Sequence, residues 1–131
     1  MNKLTGNCLC GAVTFEIDDN FQLCHCTQCQ KVTGSAHASN LFTNPESITW
    51  HTGLDSIVRY DVEGRRISNS FCSTCGSRVP FLSLSGKVLA VPAGSLNSNP
   101  TLSPQANIFW PERAGWYDEA VMTKHHAKFI E

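Results

Sequence analysis

Val13, Phe15 and Ile17 alternate with Ala12, Thr14 and Glu16, a period of two that gathers one set of side chains on a single face of a half-buried strand. Comparable short runs rich in apolar and β-branched residues recur at 36–42, 48–51, 56–60, 67–71, 78–84, 88–91 and 107–110. Asp61-Val62-Glu63-Gly64 and Ser85-Gly86 separate neighbouring runs with turn chemistry and predict hairpins. Only residues 27–33 predict a helical turn, with Gly34 placed to end it. The stretch 91–105 carries Pro92, Gly94, Pro100 and Pro104 and predicts an irregular surface connection, and Lys124-His125-His126-Ala127-Lys128 predicts a solvated tail. Eight short strands with almost no helix define an antiparallel all-β chain and exclude a doubly wound sheet.

The length of 131 residues suits one domain spanning 1–131, since two cores in this chain would each be cramped. A hydrophobic share of 41% is enough to build that core and argues against disorder. The formal charge of −1 leaves no surplus of cations to neutralise a phosphate backbone, so no nucleic-acid partner is expected. The longest uncharged stretch, 88–111, is broken by Pro92, Pro100 and Pro104 and cannot form a spanning helix of ~20 apolar residues. At the start, Met1-Asn2-Lys3-Leu4 runs into Thr5-Gly6-Asn7-Cys8 without an apolar core. A cytoplasmic location away from membranes is the expectation.

Seven cysteines change this picture. Cys8, Cys10, Cys24, Cys26, Cys29, Cys72 and Cys75 fall as CxC, CxCxxC and CxxC, and none stands alone. A reducing compartment disfavours structural disulfides, and an odd number cannot pair completely within one chain. Thiolates two or three residues apart can converge on one ion, whereas a disulfide between such close neighbours is awkward. In a strand, Cys8 and Cys10 would project from the same face. Gly76 after Cys72-Ser73-Thr74-Cys75 suits a tight knuckle. Soft sulfur ligands select zinc over magnesium or calcium. A closed structural site takes four protein ligands and a reactive one takes three, so seven divides as four plus three. Spacing alone leaves open which cysteines share an ion, and a histidine could supply an eighth ligand.

The stretches Gly6-Asn7-Cys8-Leu9-Cys10-Gly11-Ala12-Val13-Thr14-Phe15, Cys24-His25-Cys26-Thr27-Gln28-Cys29-Gln30-Lys31-Val32-Thr33-Gly34 and Phe71-Cys72-Ser73-Thr74-Cys75-Gly76-Ser77 resemble the glutathione-dependent formaldehyde-activating enzyme family. Gly94-Ser95-Leu96, Asn107-Ile108-Phe109 and Trp116 are similar too. The resemblance implies a β-tent of antiparallel sheets with zinc-stabilised cysteine knuckles. It implies two zinc ions per chain, a structural one on Cys8, Cys10, Cys72 and Cys75 and a reactive one on Cys24, Cys26 and Cys29. It further implies a carbon-sulfur lyase joining glutathione and formaldehyde into S-hydroxymethylglutathione, or the reverse. Asn97 and Asn107 stand where the family usually carries an aspartate and a histidine.

Three thiolates on divalent zinc leave one negative charge and a vacant corner at which an incoming thiol would be held as thiolate. The proton donor that such a reaction needs has candidates in His25, His37 and His51, each also explicable by packing, while His125 and His126 belong to the tail. Lys31, Arg78 and Arg113 are the cations to inspect for an anionic substrate, and Phe109, Trp110, Trp116 and Tyr117 could wall an apolar pocket. The enzyme reading names a small thiol or thiol adduct as partner. The alternative is a non-catalytic zinc-stabilised module that binds another protein.

Overall fold

Strands of four or five residues bury too little surface alone, so they must pair into sheets whose apolar faces meet. The structure is a computed structural model that describes residues 4–17, 21–100 and 102–130; Met1, Asn2 and Lys3 of the N-terminal reading and Thr101 of the 91–105 connection lie outside the described residues. The chain runs through β1 (Leu4–Asn7), β2 (Thr14–Ile17), β3 (Phe21–Cys24), α1 (Thr27–Thr33), β4 (Ala38–Thr43), β5 (Thr49–Thr52), β6 (Ile57–Asp61) and β7 (Ser68–Cys72). It continues through β8 (Phe81–Leu82), β9 (Leu89–Pro92), β10 (Asn107–Ile108) and α2 (Tyr117–Ala120). Single 3₁₀ turns at Pro45–Ser47, Leu54–Ser56, Ala93–Ser95 and Trp110–Glu112 join them.

Three sheets result, ordered β1-β2-β5, β10-β3-β4-β9-β8 and β6-β7. The alternation at 13–17 sets the first interface. Phe15 and Ile17 point inward with Leu4 and meet Leu41, Leu89 and Val91 of the five-stranded sheet in one buried cluster. Each such fully buried side chain contributes about 1.5–3 kcal/mol. Trp50 packs beside this cluster, its ring centroid 5.8 Å from that of Phe15. A second cluster joins Cys8, Val13, Cys72 and Val79, and a third joins Cys24, Cys26 and Ala38. Cys8, Cys24, Cys26 and Cys72 are thus core residues.

The all-β, antiparallel architecture matches expectation, with several corrections. β10 pairs with β3 in parallel, Ile108 opposite Cys24. The run at 78–84 yields only the two-residue β8, because Pro80 has no amide to donate to a ladder. The run at 107–110 stops at Ile108, since Phe109 turns into the left-handed region at φ 55° and Trp110 begins a 3₁₀ turn. Residues 27–33 form the predicted helix, but α2 and the 3₁₀ turns add helix where none was expected. Cys8 and Cys10 do not lie on a strand. β1 ends at Asn7, and the Gly11 amide returns to the Cys8 carbonyl at 3.1 Å, so that pair sits in a turn.

Candidate metal centres

Two groups of sulfurs converge. The Sγ atoms of Cys8, Cys10, Cys72 and Cys75 lie within 4.8 Å of one another, as do those of Cys24, Cys26 and Cys29. In the first group Cys10 Sγ lies 3.5 Å from Cys8 Sγ and 3.7 Å from Cys72 Sγ. Zinc–sulfur bonds of ~2.3 Å in a tetrahedron put sulfurs about 3.8 Å apart, so these separations fit one closed ion. The turn holding Cys8 and Cys10 faces a second knuckle in which the Gly76 amide returns to the Cys72 carbonyl at 2.7 Å. The Val13 amide donates to Cys8 Sγ at 3.3 Å, favouring the thiolate form.

The three-cysteine group is built by a helix terminus. Cys26 is the N-cap of α1, and its sulfur accepts from the Cys29 amide at 3.2 Å, the cap-to-N3 bond that serine or aspartate usually makes. CxxC across a helix start therefore brings both sulfurs to one side, and Cys24, at the end of β3, completes the trio with Cys29 Sγ 3.3 Å away. The Cys29 thiol donates to Cys24 and holds it down to about 6 from an ordinary 9.0. Donating that hydrogen bond to Cys24 pushes Cys29 far up, and burial raises Cys26.

Proton competition follows from these directions. Between about pH 6 and 9, Cys24 is already ionised while Cys26 and Cys29 must each release a proton to bind metal. Apparent zinc affinity of this cluster is expected to rise with pH at about two log units per unit, not the three of ordinary thiols, and to steepen below about pH 6. Competition against a chromophoric chelator across this range measures the slope, and a slope of three would contradict the shared-proton geometry.

The C-terminal segment clamps this loop. The His25 amide donates to the Ile108 carbonyl at 2.9 Å, and Gln30 Nε2 donates to the carbonyls of His25 and Glu112 at 2.9 and 3.0 Å. Thr27 gives its amide to Glu112 Oε1 at 3.2 Å. His25 is fully buried, its Nε2 2.8 Å from Asn107 Oδ1, with the rings of His37, Trp110 and Tyr117 packed edgewise 4.8–5.0 Å away. The ring is enclosed by these neighbours, and its Nδ1 is buried without a hydrogen-bond partner. His37 Nδ1 lies 3.1 Å from Ser39 Oγ, and His51 Nε2 lies 2.7 Å from Glu16 Oε2 within the three-stranded sheet. His125 and His126 are exposed.

A cavity of about 280 Å³ opens at the three cysteines, walled by Phe42, Phe81, Val88, Ile108 and Phe109 and bordered by Gln28, Asn40, Arg66 and Arg78. Of the expected aromatics only Phe109 reaches it; Trp110 and Tyr117 pack on His25, and Trp116 is exposed. No histidine lines it among the described residues. Of the expected cations only Arg78 does; Lys31 is exposed on α1, and Arg113 stacks 4.3 Å over Trp110 and forks onto Asp118. Sequence reasoning missed Asn40 and Gln28, which carry no signal apart from their place in the fold. A larger cavity of about 530 Å³ adjoins Cys8 and the Gly94-to-Asn97 loop. There Asn97 Nδ2 donates to Thr5 Oγ1 at 3.2 Å, so both departures from the family pattern, Asn97 and Asn107, make internal bonds.

Fold and site together define a small all-β domain with two cysteine clusters, each able to hold a metal ion. The chain belongs to the glutathione-dependent formaldehyde-activating enzyme family, whose model matches residues 3–112. It is similar in fold to a crystal structure of a Rhodobacter sphaeroides protein, with 20% identity, a TM-score of 0.61, and coverage of 79% of this chain and 97% of that one. No curated protein matches the sequence. Among the described residues no helix is long and apolar enough to cross a membrane.

Proposed function

We propose that this chain is a zinc-dependent carbon-sulfur lyase acting on a thiol or thiol adduct. In this reading Cys8, Cys10, Cys72 and Cys75 close a structural site, and Cys24, Cys26 and Cys29 form the reactive one. The observation that carries it is the asymmetry of the clusters: four sulfurs meet in one group, while only three meet in the group that borders the cavity holding Phe109 and Arg78. Family membership supports glutathione and formaldehyde as the first pair to test.

Zinc at the three cysteines would hold an incoming thiol as its thiolate, the nucleophilic form. The chain's own residues do the rest. Phe81, Ile108 and Phe109 give the cavity an apolar wall. The clamp from Asn107, Ile108 and Glu112 fixes the loop that carries the sulfurs. The attacking sulfur forms a bond to the aldehyde carbon, the carbonyl electron pair moves to oxygen, and that oxygen takes up one proton in place of the one the thiol released, so the addition is proton-neutral; the reverse cleaves the adduct. The reduced thiols this chemistry needs fit a cytoplasmic location.

Exchange spectroscopy on glutathione and formaldehyde tests the reading. Adduct formation faster than the spontaneous rate, and lost in Cys26→Ser, is the expected result. No acceleration would remove this substrate pair and leave the metal assignment to be judged by zinc content.

A further inference from the structure

The cavity at Cys24, Cys26 and Cys29 contains two arginines, Arg66 and Arg78, and among its described lining residues no aspartate or glutamate. Arg78 is fixed in the wall. Its Nε donates to Asn69 Oδ1 at 2.7 Å, its Nη2 donates to the Ser68 carbonyl at 3.3 Å, and its guanidinium lies 5.1 Å over the Phe81 ring. Among the described residues no carboxylate lies within ion-pair distance of it. A guanidinium has five N–H donors, and those two bonds leave the others free. Arg78 is half-buried, and a cation drawn partly out of water without a carboxylate partner favours an anionic neighbour.

A second, independent observation points into the same space. Asn40 is 5% exposed and lines the cavity, yet its Oδ1 has no partner, and Gln28 Oε1 on the same wall is likewise buried and unpartnered. Orphaned buried acceptors are rare in folded proteins and mark places where a donor belongs. Two cations and two acceptors around three sulfurs match a molecule with a thiol, a carboxylate and an N–H.

We propose that Arg78 is the specificity-determining residue of the three-cysteine site, selecting thiols that carry a carboxylate a few bonds from sulfur, with Asn40 and Gln28 accepting from an N–H of the same molecule. This rests on the reading of that cluster as a thiol site. Arg78 presents the planar fork that grips a carboxylate through two parallel bonds, which a flexible lysine cannot match. The rival role for Arg78 is to offset the negative charge of the sulfur cluster itself. That role predicts no preference between charged and neutral thiols.

Calorimetric titration of the zinc-loaded full chain with 3-mercaptopropionate and with its neutral amide, 3-mercaptopropionamide, separates the two. The acid is expected to bind about tenfold or more tightly than the amide, the ratio one charge-assisted hydrogen bond provides. Arg78→Gln should bring the ratio to within about twofold, and Arg78→Lys should keep part of it. Thermal melts and zinc content report whether each variant is folded and loaded. Should Arg78→Gln fail to fold, the ligand pair on wild type and on Arg78→Lys still decides. Equal binding of acid and amide by wild type, or an undiminished preference in folded Arg78→Gln, overturns the role of Arg78 while leaving the thiol site standing. If neither thiol binds, the thiol reading falls and this inference falls with it.

Discussion

Replacing Cys72 with serine is expected to abolish cooperative folding, whereas Cys26→Ser is expected to keep the fold and lower bound zinc from about two per chain to about one. Cys72 is fully buried among Cys8, Val13 and Val79, and its sulfur lies 3.7 Å from that of Cys10. The two knuckles are 62 residues apart in sequence. Tying them closes a loop worth about 4 kcal/mol in a chain-entropy model, and structural zinc contributes ~10 kcal/mol or more to folding when its ligands exist only in the folded state. Domain stabilities of ~5–15 kcal/mol cannot absorb that loss. Cys26 caps a seven-residue helix in a loop already held by Glu112, Ile108 and Asn107. Serine can also cap a helix start, so the backbone there has a substitute. Circular dichroism melts with metal analysis of both variants decide the matter; equal loss of structure would refute the division between a structural and a reactive cluster.

Gly53→Ala is the second large effect, an expected loss on the order of 3 kcal/mol in unfolding free energy. Gly53 has φ +82°, and a Cβ there would run into the Ala12 carbonyl and come within 2.8 Å of Val13 Cα. Both obstacles are backbone and cannot rotate away. The disturbance would not stay local. Val13 supplies the amide that bonds Cys8 Sγ, and Thr52 Oγ1 donates to the Ala12 carbonyl at 3.0 Å, so a shift of this backbone moves the first knuckle. Gly64→Ala is the control: its φ is +73° but no atom stands within 4 Å of the added carbon, so only the conformational cost of about 1 kcal/mol remains. Urea titrations of both variants give the comparison. Similar losses would mean that the close approach to Ala12 carries no weight.

The sequence made the strands with clean alternation or hydrophobic runs legible, and hid those whose burial comes from a partner. β2 was visible because Phe15 and Ile17 repeat with period two. β1 was not: Leu-Thr-Gly-Asn has weak strand propensity, and Gly6 is buried because the Phe15 ring across the ladder covers it, at a distance a side chain there could not allow. β3 was masked by the cysteine pattern that ends it. The sulfur groups were legible as spacing, and the family resemblance supplied the division that the geometry matches. Of the cavity wall only Arg78 and Phe109 were legible; Gln28, Asn40 and Arg66 reach it from elements that only the tertiary fold brings together.

The two sulfur sets differ in how far apart their members lie along the chain, and this orders their assembly. Cys24, Cys26 and Cys29 leave the ribosome almost together, whereas the other set must wait for Cys75. The strand that seals the first set, Asn107–Ile108, follows Cys29 by roughly eighty residues, about 4–16 s at typical elongation speeds of ~5–20 residues per second. Throughout that interval the nascent trio stands without its wall. Biosynthesis is therefore the period in which oxidants and competing soft metals have their freest access to these three thiols.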